Sequence, residues 1–272
     1  MKKKVLVLGA AGLIAPNITA YLDPFYDLTL ADIKPHPHGR PIGRVDVTSY
    51  EQVFDAARGM HAIMNYTVNR PDPVLGFKVN SMGAWHVMKA AADHGIRKVL
   101  HSGPQSVLPG YQYDFDIDDA PPLVGTGYYG ITKLLGREIC RVYARTYQIQ
   151  TISFVFNGLG PNPTRPVAGD FPPFTVTWED LAHACQLALE VESVPEYFQE
   201  FNLHSYLGHE KFLLDKAQRL LGFAPQREWT AFTGVPPERY IPARFSLTRL
   251  KGRCTCVPSR FPEVHRCPRP LA

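Results

Sequence analysis

Tyr129-Gly130-Ile131-Thr132-Lys133 holds two side chains whose types and spacing suit proton transfer. Four residues apart on a helix, a phenol and an ammonium share one face. A neighbouring positive charge favours the phenolate, so the phenol is drawn toward neutral pKa and can exchange a proton with a substrate hydroxyl or carbonyl. Tyr128 is the competing phenol. Because Tyr-x-x-x-Lys recurs by chance, its meaning depends on what the rest of the chain sets beside it.

A second constellation lies near the N-terminus. The run Lys4–Gly9 reads as a strand that leads into Gly9-Ala10-Ala11-Gly12-Leu13-Ile14-Ala15. Gly9 permits a tight strand-to-helix turn, Gly12 lets backbone approach a pyrophosphate, and Ala15 takes the third small position. The helix that follows offers free N–H groups to an anion. The second strand, Leu28–Asp32, ends in a carboxylate placed for ribose hydroxyls. Its charge repels a 2′-phosphate, which favours NAD over NADP; Lys34 is the opposing feature. Ala11, Leu13 and Ile14 belong to the expected cofactor loop. Asp46 and Val47, at the end of a third strand near Arg44–Val47, face the adenine in this reading, although Asp46 reads equally as a helix flank. Tyr66, closing the fourth strand, completes the cofactor wall.

These groups need a scaffold, and the chain supplies one. Strand-like runs at Ala62–Tyr66, Lys98–Ser102 and Thr151–Phe156 alternate with helical patterns at Gly12–Leu22, Pro73–His94 and Tyr129–Tyr147. Ser49-Tyr50-Glu51-Gln52 opens another helix with a near capping box. Strands alternating with helices predict an α/β fold of Rossmann type, a doubly wound parallel sheet covered on both faces. A Pro-rich stretch to Pro173, a helix Glu179–Val191, a strand Phe198–Leu203 and a helix Glu210–Leu221 follow. The expected organisation is one NAD-binding domain over 1–230, with a small C-terminal substrate-binding portion from about 161–180 and 195–230. A tail over 231–272 is expected to be extended or disordered.

Taken in chain order, the motifs resemble the extended short-chain dehydrogenases, the NAD-dependent epimerase/dehydratase family. The matching pieces are Gly9-x-x-Gly12 and Asp32; Asn80-Ser-Met-Gly83; Tyr129-Gly-x-Thr-Lys133 with Glu138; Asn157-Gly-Leu-Gly160-Pro161; Val176-Thr-Trp-Glu-Asp180-Leu-Ala182; and Arg219-Leu-Leu-Gly-Phe223-x-Pro225. They span roughly residues 3–227. The resemblance implies Tyr129 as acid/base, Lys133 as its partner, NAD contacts from Asn80 and the Phe156–Asn157 region, and substrate contact at Asn157. It also implies a homodimer formed through helices 74–94 and 129–147.

Two departures stand out. Aligned on Val107, the family's usual Ser or Thr position beyond the fifth strand is Pro104, leaving Ser102, Gln105 and Ser106 as candidates for that hydroxyl or for substrate contact. Only 18 residues separate Pro161 from Asp180, too short a segment to enclose a nucleotide diphosphate as well as a sugar. The layout is similar to that of compact uronate dehydrogenases and points to a small sugar or sugar acid, with Asn69 and Arg70 reading its hydroxyls or carboxylate. Either a dehydrogenase or an epimerase fits. The rival is a non-catalytic NAD(P)-binding regulatory or scaffold protein, motivated by Pro104 and by Phe154, where the family often has Arg.

Composition narrows the rest. Residues 241–272 hold seven Lys/Arg and one acid, leaving 22 basic and 24 acidic residues before them. A slightly acidic body argues against nucleic acid as a partner. No apolar run reaches the ~18–20 residues that span a membrane, and the apolar stretch after Lys2–Lys4 is broken at once by glycine, unlike a signal peptide. Cys140 and Cys185 read as buried apolar residues, and Cys254-x-Cys256 with His265 and Cys267 has zinc-ligand types at too short a spacing, so no metal is expected. The lack of a disulfide framework fits a cytoplasmic protein with a small-molecule substrate.

Overall fold

The computed structural model describes residues 1–104, 127–156, 158–166, 175–207 and 213–234. Strand β1 (Lys3–Leu8) is followed by α1 (Ala15–Leu22), β2 (Tyr26–Asp32), β3 (Gly43–Arg44), α2 (Tyr50–Ala57) and β4 (Ala62–Asn65). Next come α3 (Pro73–Gly76), a π-helical turn (Phe77–Met82), α4 (Gly83–Asp93), β5 (Lys98–Pro104) and α5 (Tyr128–Tyr147). β6 (Gln150–Phe156), β7 (Gly158–Gly160), β8 (Thr175–Thr177), α6 (Trp178–Glu190), β9 (Phe198–Asn202), α7 (Asp215–Leu221) and α8 (Trp229–Thr233) complete the chain.

Seven strands form one parallel sheet in the order β3-β2-β1-β4-β5-β6-β9. Val5–Leu8 are buried on both faces of β1, as a central parallel strand requires. One face, with Val5, Val7, Leu30, Met64, Leu100 and Phe154, packs with the core residues of α1, α6 and α7. The other, with Leu6, Leu8, Ile63 and Val99, packs with those of α2, α4 and α5. The strand order reverses between β1 and β4, and a crevice opens at the carboxyl ends there, the usual ligand position in a Rossmann-type sheet.

Several elements differ from the sequence reading in instructive ways. α1 begins at Ala15, with Pro16 in its first turn, so Gly9–Ile14 form a longer turn than expected. The Gln52 side chain accepts from Asp46 N–H at 2.8 Å instead of closing a capping box on Ser49, whose Oγ accepts from Gln52 N–H at 3.4 Å. The helix expected over Pro73–His94 is interrupted by the π turn, a feature frequent at functional sites. β3 stops at Arg44, leaving Asp46 and Val47 beyond it. The short parallel pair β7–β8 and helix α8 were not foreseen, and α8 crosses the expected boundary at 230. The helix expected from Glu210 starts at Asp215, after the non-helical Leu213 and Leu214, and runs to Leu221.

Candidate active site

Gly9 ends β1 with φ +78°, and a Cβ there would lie 2.7 Å from the Thr67 nitrogen. Only glycine permits both the turn and this contact with the segment after β4. Beyond it, Ala11 N–H donates to Asp32 Oδ2 at 2.9 Å, and Lys34 N–H donates to Asp32 Oδ1 at 3.0 Å. The strand-end carboxylate thus pins the glycine-rich turn, and each oxygen keeps a further lone pair for a ligand hydroxyl. A cleft of about 220 Å³ opens here, lined by Gly9, Ala11, Gly12, Asp32, Asp46 and Val47 among others. Asp46 Oδ1 also accepts from Thr48 N–H and Thr48 Oγ1–H, so part of its capacity serves the turn before α2.

Tyr66 and Val68 line this cleft and also a larger one of about 570 Å³, so the two are continuous. The larger cleft is lined by Leu13, Ile14, Tyr66, Arg70, Ser102, Tyr129, Lys133 and Phe156, together with Val68, Pro71, Gly103 and Leu159. The first turn of α5 carries Tyr129 and Lys133 into it. Arg70 Cζ lies 5.4 Å from the Tyr129 ring centroid, within cation–π range. Tyr128 is engaged elsewhere: its hydroxyl donates to the Arg70 carbonyl. Of the two adjacent phenols, Tyr129 is the one in the cleft.

Lys133 is 3% exposed and its ammonium donates to the Ser102 carbonyl at 2.6 Å. Burial brings its pKa from 10.5 down to about 8; the nearby Cys140 thiol acts upward and the Arg70 guanidinium downward. The amine is therefore poised to change charge close to neutrality. Ser102 Oγ lies 3.5 Å from the Asn65 carbonyl, too long for a strong bond. β5 continues to Pro104, opposite Phe156 of β6. Phe154 is buried in the core.

Asn80 lines neither cleft. Its Oδ1 accepts from Asn69 N–H at 2.9 Å, and its Nδ2 donates to the Asn69 carbonyl at 2.9 Å and to Thr132 Oγ1 at 3.0 Å. It therefore clamps the loop bearing Arg70 onto α5. Asn69 lines the smaller cleft rather than the larger, and its Oδ1 accepts from Asp72 N–H at 3.2 Å. Ser106, Gln105 and Asn157, with the tail residues Cys254, Cys256, His265 and Cys267, lie outside the described residues. Among the described residues no group of three metal-ligating side chains occurs. Sequence reasoning missed Val68, which joins the clefts, and Asn65, whose Oδ1 accepts from Thr67 N–H at 3.1 Å and shapes the loop. A polar residue ending an otherwise apolar strand was the available signal for Asn65.

Comparison with known proteins places this architecture among relatives. Uronate dehydrogenase of Pseudomonas putida is 28% identical over 170 residues, 59% of this chain and 62% of that protein. An uncharacterised epimerase/dehydratase of Staphylococcus aureus is 24% identical over 186 residues, 61% of this chain and 56% of that one. The alignments thus span less than two thirds of these curated relatives. Among solved structures, a uronate dehydrogenase from Agrobacterium tumefaciens superposes with a TM-score of 0.71 at 18% identity, covering 89% of this chain and 91% of that one. A UDP-galactose 4-epimerase gives 0.59 at 18% identity, covering 83% and 85%. At these identities the superpositions establish the common fold. Residues 5–175, from β1 through the Tyr129–Lys133 turn to β8, match the family described as "NAD dependent epimerase/dehydratase family", and the chain belongs to that family.

Proposed function

We propose that this protein is an NAD-dependent oxidoreductase or epimerase acting on a hydroxyl or carbonyl of a small sugar or sugar acid. The observation that carries the reading is the larger cleft, where Tyr129, Lys133 and Arg70 converge and no carboxylate appears among the described lining residues. Such a lining favours an anionic substrate. The adjoining cleft fits a dinucleotide: the Gly9 turn leaves no room for a side chain, and Asp32 closes the far end with acceptors to spare. Its charge supports NAD over NADP.

Bound NAD would accept hydride from the substrate carbon. Tyr129 takes the hydroxyl proton as general base, with Lys133 lining the same cleft. Arg70 orients a substrate carboxylate by paired hydrogen bonds. Ser102 is the described hydroxyl nearest the position that Pro104 occupies in the sequence. Phe156 and Leu159 give an apolar wall that keeps water from the reacting carbon. Release of the carbonyl makes a dehydrogenase; return of the hydride to the opposite face makes an epimerase. A purely structural binder has no use for a buried ammonium without a carboxylate partner among the described residues, which disfavours the non-catalytic reading. Relatives named uronate dehydrogenase support the sugar-acid choice.

The homodimer belongs to the same proposal. Val74, Leu75, Phe77, Met82, Ile131 and Leu135 leave apolar surface exposed on α3, the π turn and α5, the helices through which the family resemblance implies pairing. Residues 1–230 form the catalytic domain in this reading. Among the described residues no helix is long and apolar enough to cross a membrane.

Absorbance at 340 nm tests the function, with NAD and NADP offered separately against uronic acids, free sugars and nucleotide sugars. NADH formed with a uronic acid is the expected result. Turnover confined to nucleotide sugars would refute the small-substrate reading. Silence throughout, with product analysis showing no epimer and calorimetry showing NAD bound, would leave the non-catalytic binder.

A further inference from the structure

The turn between β3 and α2 lines the smaller cleft through Asp46 and Val47, and it is tied down locally. Asp46 N–H donates to Gln52 Oε1 at 2.8 Å, and Ser49 N–H donates to the Asp46 carbonyl at 3.0 Å. A further bond comes from much farther along the chain. His86 of α4 is 4% exposed and sets its Nδ1 2.8 Å from the Val47 carbonyl oxygen, 39 residues away. A carbonyl can only accept, so Nδ1 carries the proton in this contact. One turn earlier on α4, a Cβ on Gly83 would lie 3.0 Å from both Val47 methyls. Gly83 and His86 thus press one side of α4 against Val47.

The peptide group that His86 contacts is held at both ends. Its carbonyl, on Val47, accepts from the imidazole; its N–H, on Thr48, donates to Asp46 Oδ1 at 2.9 Å. Thr48 Oγ1–H donates to the same oxygen at 2.8 Å. A donor on a peptide carbonyl draws charge toward the oxygen and strengthens the N–H at the other end. His86 therefore acts through one peptide group on the Asp46 carboxylate, which lines the cleft. Thr48 takes up Oδ1 and leaves Oδ2 as the acceptor for a ligand donor. Tyr50 and Trp85, with ring centroids 6.0 and 5.2 Å from that of His86, flank the imidazole.

We propose that His86 is a positioning residue for recognition of the adenine base. By holding the Val47–Thr48 peptide it fixes Asp46 with one oxygen engaged and the other presented to the adenine 6-amino group. The proposal rests on the reading that NAD lies with its adenine against Asp46 and Val47. Adenine offers an amino donor at the position where hypoxanthine carries a carbonyl oxygen. A fixed carboxylate accepts from the first and repels the second. A carboxylate free to turn accommodates both, with water between it and the base. His86 lines neither cleft, so its effect falls on selectivity for the base and not on chemistry at the nicotinamide.

Calorimetry on the full-length protein compares NAD with its hypoxanthine analogue, in which only the base differs. The parent should bind NAD at least about tenfold more tightly, since a site built around a ligand's donor rejects the analogue lacking it. His86→Leu should weaken NAD about tenfold and the analogue about twofold, so most of the preference disappears. His86→Asn should restore it, because the Asn amide nitrogen stands the same number of bonds from Cα as Nδ1. Equal loss for both dinucleotides, or a folded His86→Leu that keeps the parent's preference, overturns the proposal and leaves the adenine reading standing. A parent without preference overturns both. If His86→Leu does not fold, ¹⁵N-histidine NMR of the parent decides. A neutral His86 ring bearing its proton on Nδ1 supports the proposal, and a ring protonated only on Nε2 overturns it.

Discussion

Lys133→Met should make the ligand-free protein more stable while abolishing turnover. Lys133 is buried, its ammonium bonds the Ser102 carbonyl, and burial brings its pKa from 10.5 to about 8. At about 1.4 kcal/mol for each tenfold change in proton affinity, holding this ammonium charged in the folded state costs about 3 kcal/mol. Met keeps the unbranched stem and removes the charge. It also leaves the Ser102 carbonyl without this donor, which takes back about 1 kcal/mol. The net gain at pH 7 is about 2 kcal/mol, or about 4–8 °C in Tm. The pH dependence gives the mechanism away. Because the folded-state pKa lies below the unfolded one, the penalty is fully present below about pH 8 and disappears as pH rises to 10.5. Urea unfolding of both proteins at pH 7 and above pH 10 reads this directly. A less stable variant at pH 7, or a gain that stays constant across that range, would refute the reasoning.

Other perturbations separate the remaining roles. Gly9→Ala combines a strained φ with a backbone contact of 2.7 Å; it should cost about 2–4 kcal/mol by denaturant unfolding and abolish NAD binding by calorimetry. Asp32→Ala strips acceptors from Ala11 N–H and Lys34 N–H; NAD affinity should drop at least about tenfold and the preference over NADP should disappear. Tyr129→Phe should lower kcat about 10²–10⁴-fold with NAD binding retained. Tyr128→Phe, which loses a bond to the Arg70 carbonyl, should stay within about tenfold of the parent; the opposite ranking would exchange the two phenols' roles.

Much of the fold was legible in the sequence because its signals are local. Val5–Leu8 announce a strand buried on both sides, and the glycines after it announce the turn. The helical run from Tyr129 announces a helix whose first turn places a phenol and an amine together. Boundaries were less legible. α1 starts at Ala15 because Pro16 suits a first turn, and Gln52 leaves its expected capping role because Asp46 N–H, beyond the end of β3, needs an acceptor. The π turn has no sequence signal comparable to the glycine run. It coincides with the Asn80 clamp, whose partners Asn69 and Thr132 are 11 and 52 residues away.

What the sequence determined by itself was therefore the periodic framework and the residues whose chemistry is fixed by neighbours in the chain: Gly9, Asp32, and the Tyr129–Lys133 spacing. Only the tertiary structure decided which phenol enters the cleft, that Asn80 joins the Asn69 loop to Thr132, and that Arg70 stands over Tyr129. Those outcomes depend on how β4, β5, β6 and α5 pack at long sequence separation. Periodicity says which face of an element is buried, but not which side chain it will meet there.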